Sequence, residues 1–193
     1  MSEQLKIPRL VTFIGMAKSG KTELAGYLSE KYGYQHIRPS AVIHKELVKK
    51  YGERLFSRSE YRDMGKTLRE ARGSTFYLDE FSEGTEKLVI DGPRHLSTLV
   101  SLRNKNVIPI GIVATADVRF GRAERSNEKI GALTLEEFIK EELPEMNSPS
   151  ESGGQLIPML WSIDPADIID TSCQALLDSQ HRIDEIILRH SSS

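Results

Sequence analysis

One stretch of eight residues constrains this chain more than any other. It reads Gly-Met-Ala-Lys-Ser-Gly-Lys-Thr over residues 15–22 and matches the pattern G-x-x-x-x-G-K-[ST] at every fixed position. The apolar run before it, residues 10–14, is typical of a buried strand, and an amphipathic helix is predicted over residues 20–32 with Gly33 as its C-cap. Because the pattern requires a strand before it and a helix after it, we expect a phosphate-binding loop (P-loop) here.

The residue types of this loop suit a nucleoside triphosphate with its magnesium ion. Backbone amides at a helix N-terminus donate to phosphate oxygens, and Gly15 and Gly20 permit backbone angles that side chains forbid. Lys21 is expected to reach the β- and γ-phosphates, and the Thr22 hydroxyl to bind Mg²⁺. We therefore expect ATP and Mg²⁺ as cofactors. The residues predicted to bind the nucleotide are Gly15, Ala17, Lys18, Ser19, Gly20, Lys21, Thr22 and Glu23.

Composition narrows the classes of protein that could carry this loop. A chain of 193 residues suits one compact domain, predicted over residues 1–193. Lys and Arg total 26 against 28 for Asp and Glu, a balance that predicts neither a nucleic-acid nor a membrane partner. A single cysteine excludes an internal disulfide and a cysteine-based zinc cluster. The first ten residues lack an apolar signal core, and we expect a cytoplasmic protein.

Apolar and helical stretches alternate along the chain. This alternation predicts an α/β fold of the P-loop NTPase type, a three-layer sandwich whose central parallel sheet has about five strands flanked by helices. A lid-like helical insertion is expected at about residues 119–145 and a flexible loop at about 147–154. The predicted strands are residues 10–14, 34–38, 88–90, 107–114 and 167–170. The predicted helices are residues 20–32, 41–50 with Ser40 as N-cap, 59–72, 74–81, 117–125, 134–142 with a Thr134–Glu137 capping box, and 174–189.

Other sequence features separate the kinds of P-loop protein. A GTPase needs D-x-x-G and N-K-x-D, but the chain has Asp-Gly-Pro-Arg at residues 91–94 and Asn-Lys-Asn-Val at residues 104–107. Motor proteins are normally much longer. A small kinase or a nucleotide-gated regulator therefore remains.

Arginines favour the kinase. Transfer of a phosphoryl group to another phosphate brings two polyanions together, and the site then needs positive charge beyond Lys21 and magnesium. Arginines occur where loops should gather at the carboxyl edge of the sheet. They are Arg62 and Arg69, seven residues apart on one helix; Arg94, after the strand at 88–90; and Arg119, Arg122 and Arg125, predicted to lie along one side of a helix. Arg38 follows a strand end and could equally contact the acceptor or lie on the surface.

These segments resemble those of nucleoside monophosphate kinases. Residues 89–94, Val-Ile-Asp-Gly-Pro-Arg, resemble the D-G-x-P-R segment of adenylate kinases, shortened by one residue, and residues 119–125 resemble their lid arginines. Residues 61–73 resemble an acceptor-binding helix of small relatives that include phage-type deoxynucleotide kinases. Residues 166–172 resemble the end of dephospho-CoA kinases. The resemblance implies transfer of the γ-phosphoryl of ATP to a nucleoside or deoxynucleoside monophosphate.

The resemblance also implies roles for individual residues. Lys21 would neutralise the β- and γ-phosphates, and Asp91 would hold a magnesium-bound water beside the Thr22 ligand. Arg122 and Arg125 would stabilise charge on the transferring group. The acceptor would be held by Arg62, Arg69 and Arg94. The competing interpretations are a turn aspartate before glycine for Asp91 and solvated helix faces for the arginines.

Two alternative functions stay open at this point. The first is a dephospho-CoA kinase-like enzyme that acts on a hydroxyl, but the D-x-D of that family is replaced after the second strand by His-Ile-Arg-Pro-Ser-Ala, residues 36–41. The second is a non-catalytic regulator that binds ATP and signals through a partner.

Overall fold

A single parallel sheet of five strands forms the centre of the protein. The computed structural model describes residues 6–79, 81, 87–126, 134–148 and 154–191. The strand order is β2-β3-β1-β4-β5, and every pairing is parallel, so the predicted α/β fold with a central parallel sheet is confirmed. The strands are β1 Leu10–Ile14, β2 Gln35–Ile37, β3 Leu88–Asp91, β4 Ile108–Val113 and β5 Ile168–Asp170.

Eight described α-helices connect and flank the strands. They are α1 Lys21–Tyr32, α2 Pro39–Tyr51, α3 Arg58–Arg72, α4 Leu96–Arg103, α5 Ala116–Arg125, α6 Leu135–Met146, α7 Leu156–Trp161 and α8 Leu176–Ser191. Short 3₁₀ helices, Phe76–Leu78 and Pro165–Asp167, precede β3 and β5. Within the described ranges, no helix has both the length and the apolar character needed to cross a bilayer.

The sheet is covered on both faces, which gives the predicted three layers. Val11 and Phe13 point to one face, where they pack with Leu28 of α1 and Ile183 of α8. The opposite face carries α2, α3, α4 and α7, and there Ile14 packs against α4 and α7. Successive side chains of a strand point to opposite faces, so β1, which is apolar except for Thr12, buries side chains on both.

The connections open a crevice between the carboxyl ends of β1 and β3. The chain leaves β1 through α1 on one face and moves toward β2, whereas it leaves β3 through α4 on the other face and moves toward β4. Where neighbouring strands lead away in opposite directions, their loops separate and leave room for a ligand. The P-loop follows β1, and Asp91 ends β3 opposite Phe13. The fold therefore places these two sequence features beside each other.

Several predicted element boundaries were wrong for local reasons. Ser40 does not cap α2, because Pro39, with its fixed φ, begins the helix and Arg38 is the N-cap. The helix predicted over residues 74–81 is only the 3₁₀ helix Phe76–Leu78, and part of it lies outside the described residues. Helix α4 was not predicted from the sequence, because its apolar residues lie on both its buried and exposed sides and so show no helical period.

The two helices of the predicted lid-like insertion pack on each other. Phe120 and Ala123 of α5 contact Phe138 of α6, and the capping box between Thr134 and Glu137 starts α6 as predicted. Residues 127–133 of the insertion and residues 149–153 of the predicted flexible loop lie outside the described residues. Movement of the insertion as a lid, and the single domain over residues 1–193, stay predictions.

Gly15 is required by a close approach between the P-loop and β4. A Cβ atom at this position would lie 1.9 Å from the Ile112 carbonyl oxygen, a backbone atom that cannot rotate away. We expect Gly15→Ala to lower the free energy of unfolding by about 1–3 kcal/mol or more, measured by urea denaturation. The matched control is Gly26→Ala in α1, where an added Cβ would have no described atom within 4 Å beyond the adjacent backbone of its own helix, and alanine favours the helix. Equal stability of the two variants would contradict this packing.

Candidate active site

The P-loop joins the end of β1 to the first turn of α1. Gly20, the N-cap of α1, has φ 96° in the left-handed region and provides no side chain to cap the amides that follow. The outer side of the loop is anchored, because Thr171 Oγ1 donates to the Ser19 carbonyl at 2.9 Å and Arg122 Nη1 to the Lys18 carbonyl at 3.1 Å. These hydrogen bonds hold the loop in place. The first amides of α1, which have no carbonyl partner within the helix, point beyond its N-terminus and form a site suited to an anion.

Lys21 places a buried positive charge at this helix end. Its side chain belongs to a residue only 6% exposed, and its Nζ donates to the Met16 carbonyl at 2.7 Å. Burial lowers the pKa of Lys21 to about 8, although the nearby Asp91 carboxylate raises it, and Arg94 lowers it further. A phosphate oxygen beside such a buried cation would strongly stabilise its charged form.

Thr22 and Asp91 meet across the crevice. Thr22 Oγ1 donates to Asp91 Oδ2 at 3.0 Å, and His36 Nε2 of β2 lies 3.5 Å from the same oxygen. Burial alone would raise the pKa of Asp91, but the His36 contact, the Lys21 charge and the Thr22 hydroxyl outweigh it and hold that pKa below its usual value. The carboxylate is therefore ionised at neutral pH, as a magnesium site requires.

The oxygen atoms of Thr22 and Asp91 suit a magnesium ion that takes its other ligands from outside the protein. A hydroxyl and a carboxylate are oxygen ligands that Mg²⁺ prefers. In the described part of the chain, no group of three or more His, Cys, Asp or Glu residues is arranged to hold a metal ion. A magnesium ion at Thr22 and Asp91 would thus take its remaining ligands from phosphate oxygens and water, which is its usual manner of binding beside nucleotides.

A cavity of about 470 Å³ extends from the P-loop toward α2, α3 and the β3–α4 loop. Its wall includes Lys21, Thr22 and Asp91 of the phosphate-binding region. Other parts of the wall carry arginines, and others carry apolar or aromatic side chains. The arginines are Arg38, Arg62, Arg69 and Arg94, and the apolar and aromatic residues include Ile43, Tyr61, Phe76 and Tyr77.

The structure brings all three predicted acceptor arginines to this cavity. Arg62 and Arg69 lie two turns apart on α3 and line it together, as their spacing predicted. Arg94 follows β3 and forms an ion pair with Glu145 of α6, which also lines the cavity. Arg38, which the sequence left undecided, lies in the wall as well.

Two cavity residues beside these arginines, Glu145 and His95, were not predicted from the sequence. Glu145 gave no signal, because its approach to Arg94 depends on how α6 packs. His95 stands next to Arg94 in the chain, and that adjacency was the available clue. Burial, together with the charges of Arg69 and Arg94, lowers the pKa of His95 to about 4. His95 is therefore uncharged at neutral pH and adds no positive charge to the cavity.

The three arginines of α5 have three different environments. Arg119 is 3% exposed and forms an ion pair with Glu142 of α6. Arg122 donates to Lys18 and Thr171 and so supports the P-loop from outside, and Arg125 is exposed. Neither Arg122 nor Arg125 is among the described residues that line the cavity. Their predicted role at the transferring group stays a prediction.

Comparison with known proteins identifies the fold class. No protein-family model matches this sequence, and no curated protein matches it. Among solved structures, a shikimate kinase from Acinetobacter baumannii in complex with shikimate has a TM-score of 0.61 and 16% identity, with 96% of each chain covered. A gluconokinase from Sinorhizobium meliloti has a TM-score of 0.55 and 14% identity, covering 97% of this chain and 95% of that one. A shikimate kinase from Bacteroides thetaiotaomicron has a TM-score of 0.52 and 14% identity, covering 91% and 94%.

These similarities show that the chain has the fold of P-loop kinases. At such low identity they establish the fold alone. The predicted fold is therefore confirmed, and the relation to nucleoside monophosphate kinases stays a prediction.

The lowered pKa of Lys21 predicts how nucleotide binding depends on pH. A bound phosphate would raise this pKa, so affinity is full below the ligand-free value of about 8 and is lost as the pH rises through it. We expect the Kd for ATP, measured calorimetrically with excess magnesium, to rise about tenfold between pH 7 and about pH 9.

The control for this dependence is Lys21→Arg. A guanidinium stays protonated throughout this range, so binding should be weaker but independent of pH. If the pH dependence persists in Lys21→Arg, a group other than Lys21 is titrating.

Proposed function

We propose that the protein is an ATP- and magnesium-dependent kinase whose acceptor is a small phosphorylated molecule, a nucleoside or deoxynucleoside monophosphate. One observation carries the proposal. The cavity that contains Lys21, Thr22 and Asp91 is the same cavity that Arg62, Arg69 and Arg94 line. A donor polyphosphate and an anionic acceptor would therefore meet in one cavity.

The carboxylates of the cavity favour an acceptor that is already ionised. A hydroxyl acceptor needs a nearby base to take its proton, whereas a phosphate oxygen attacks without one. The described cavity wall contains two carboxylates, Asp91 and Glu145. Asp91 accepts from Thr22, and Glu145 is paired with Arg94. Neither is placed as a base for a hydroxyl, which supports a phosphate acceptor over the dephospho-CoA kinase-like alternative.

The residues of the site act by position and charge. Lys21 would hold its ammonium against the β- and γ-phosphate oxygens, and the first amides of α1 would donate to them. Thr22 and Asp91 would hold magnesium, whose charge offsets that of the phosphates. Arg62, Arg69 and Arg94 would fix the acceptor phosphate in line with the γ-phosphoryl group. This scheme needs no covalent intermediate on a side chain.

An acceptor panel tests the proposal directly. ATP consumption with magnesium is measured against ribo- and deoxynucleoside monophosphates, dephospho-CoA, shikimate and gluconate. We expect strong stimulation by one or a few monophosphates, with matching amounts of ADP and phosphorylated product. Stimulation by shikimate, gluconate or dephospho-CoA alone would refute the phosphate acceptor. ATP binding with a flat response across the panel would favour the non-catalytic regulator.

Substitution of a single arginine separates acceptor binding from donor binding. We expect Arg62→Gln and Arg69→Gln each to raise the KM for the acceptor by about tenfold to a hundredfold, because each removes a charge-assisted hydrogen bond to phosphate. The Kd for ATP should stay unchanged. The control is Arg103→Gln in α4, whose guanidinium contacts Ser162 outside the cavity. An acceptor KM that Arg62→Gln and Arg69→Gln leave unchanged would contradict the assignment.

A further inference from the structure

The hydroxyl of Tyr77 is buried without a partner. Tyr77 lies in the 3₁₀ helix Phe76–Leu78 and is 2% exposed, yet its oxygen has no hydrogen-bond partner within the described part of the chain. Burial raises the pKa of Tyr77, so the group is a neutral hydroxyl that can donate. Buried polar atoms are nearly always hydrogen-bonded, since an unpaired one costs free energy of folding.

Other tyrosines show that this is not a general property of the molecule. The hydroxyls of Tyr27 and Tyr32 both donate to Asp184, and that of Tyr34 donates to the Pro8 carbonyl. The hydroxyl of Tyr61, another cavity residue, lies 2.6 Å from His44 Nδ1. Among these five tyrosines, Tyr77 is therefore the one whose hydroxyl has no hydrogen-bond partner, and it lines the cavity of the candidate active site.

The surroundings of Tyr77 indicate what kind of ligand would accept a hydrogen bond from its hydroxyl. Tyr77 shares one apolar cluster with Phe76 and Ile43, and all three line the cavity. The Phe76 and Tyr77 rings meet edge to face, with centroids 5.4 Å apart, which fixes the position of the hydroxyl. Small-molecule sites typically have apolar and aromatic walls with a few polar groups that fix the orientation of the ligand. A nucleobase, which is flat and carries acceptor atoms at its edge, suits a wall of this kind.

We propose that Tyr77 is a specificity-determining residue, and that its hydroxyl donates a hydrogen bond to the nucleobase of the acceptor. The inference rests on the proposed function and deepens it. The arginines of the cavity bind the acceptor phosphate, and the wall of Ile43, Phe76 and Tyr77 binds the base. The partner atom is a ring nitrogen or a carbonyl oxygen at the edge of the base, which accepts the hydrogen bond that no atom of the described protein accepts.

The test removes one oxygen atom. Tyr77→Phe should leave the ligand-free melting temperature unchanged or higher, because the lost hydroxyl has no partner to lose. The same variant should bind the preferred nucleoside monophosphate about tenfold more weakly by calorimetry and discriminate less between bases, with ATP affinity unchanged. A merely structural residue would not combine unchanged stability with a selective loss of acceptor affinity.

The matched control is Tyr61→Phe. This substitution also removes a hydroxyl from the cavity wall, but the hydroxyl is bonded to His44, so the melting temperature should fall. If Tyr77→Phe loses stability in the same way, or binds every monophosphate as the unaltered protein does, the inference is overturned.

Calorimetric binding keeps this inference separate from the proposed function. Monophosphate binding that depends on Tyr77, without turnover, would retain the base site and refute the kinase. Turnover with an acceptor that has no base would retain the kinase and refute the base site. An unaltered protein that binds no monophosphate would refute both the base site and the proposed class of acceptor.

Discussion

A positive charge held out of water is the constraint on which this site depends. The Lys21 ammonium lies at the N-terminus of α1, where the helix itself also favours negative charge. A buried charge is costly unless it is paired, and the hydrogen bond of Lys21 to the Met16 carbonyl satisfies only part of its need. The carboxylates of Asp91 and Glu145 favour its charged form, whereas Arg94 opposes it. The site is therefore suited to an anion, and the oxygens of a polyphosphate would complete the hydrogen bonding and offset the charge of Lys21.

The rest of the fold serves to place groups around that charge. The adjacency of β1 and β3 brings Asp91 to Thr22, although 69 residues separate them in the chain. On the other side, the ion pair of Arg119 with Glu142 joins α5 to α6, and Glu145 lies nearly one turn further along α6, where it meets Arg94. Ion pairs of this kind contribute little net stability, because desolvation offsets their attraction. Their effect here is to fix where α6 approaches the cavity.

The sequence predicts the parts of this arrangement that depend on residues close together in the chain, and not the parts that depend on packing between distant segments. The P-loop and the strands follow from contiguous residues, and the shared orientation of Arg62 and Arg69 follows from two turns of one helix. Arg119, Arg122 and Arg125 do not share a side, because each step of three residues turns the helix by about 300°, and the first and last diverge by about 120°. Glu145 and Tyr77 owe their places to packing between distant segments. Nothing in the residues next to them reports that packing.

The fold alone does not select the acceptor. The choice of acceptor depends instead on the residues of the cavity wall. Proteins named as shikimate kinases and a gluconokinase share the architecture, so the common sheet and loop are compatible with different acceptors. In this chain, Glu145 forms an ion pair with Arg94. A carboxylate acceptor would offer that arginine little in exchange for the carboxylate it already contacts, whereas a phosphate dianion would offer more charge and more acceptor oxygens. Under the proposed function, the Arg94–Glu145 pair would favour the most highly charged acceptors, and Ile43, Phe76 and Tyr77 would lie on the side of the cavity that receives the base.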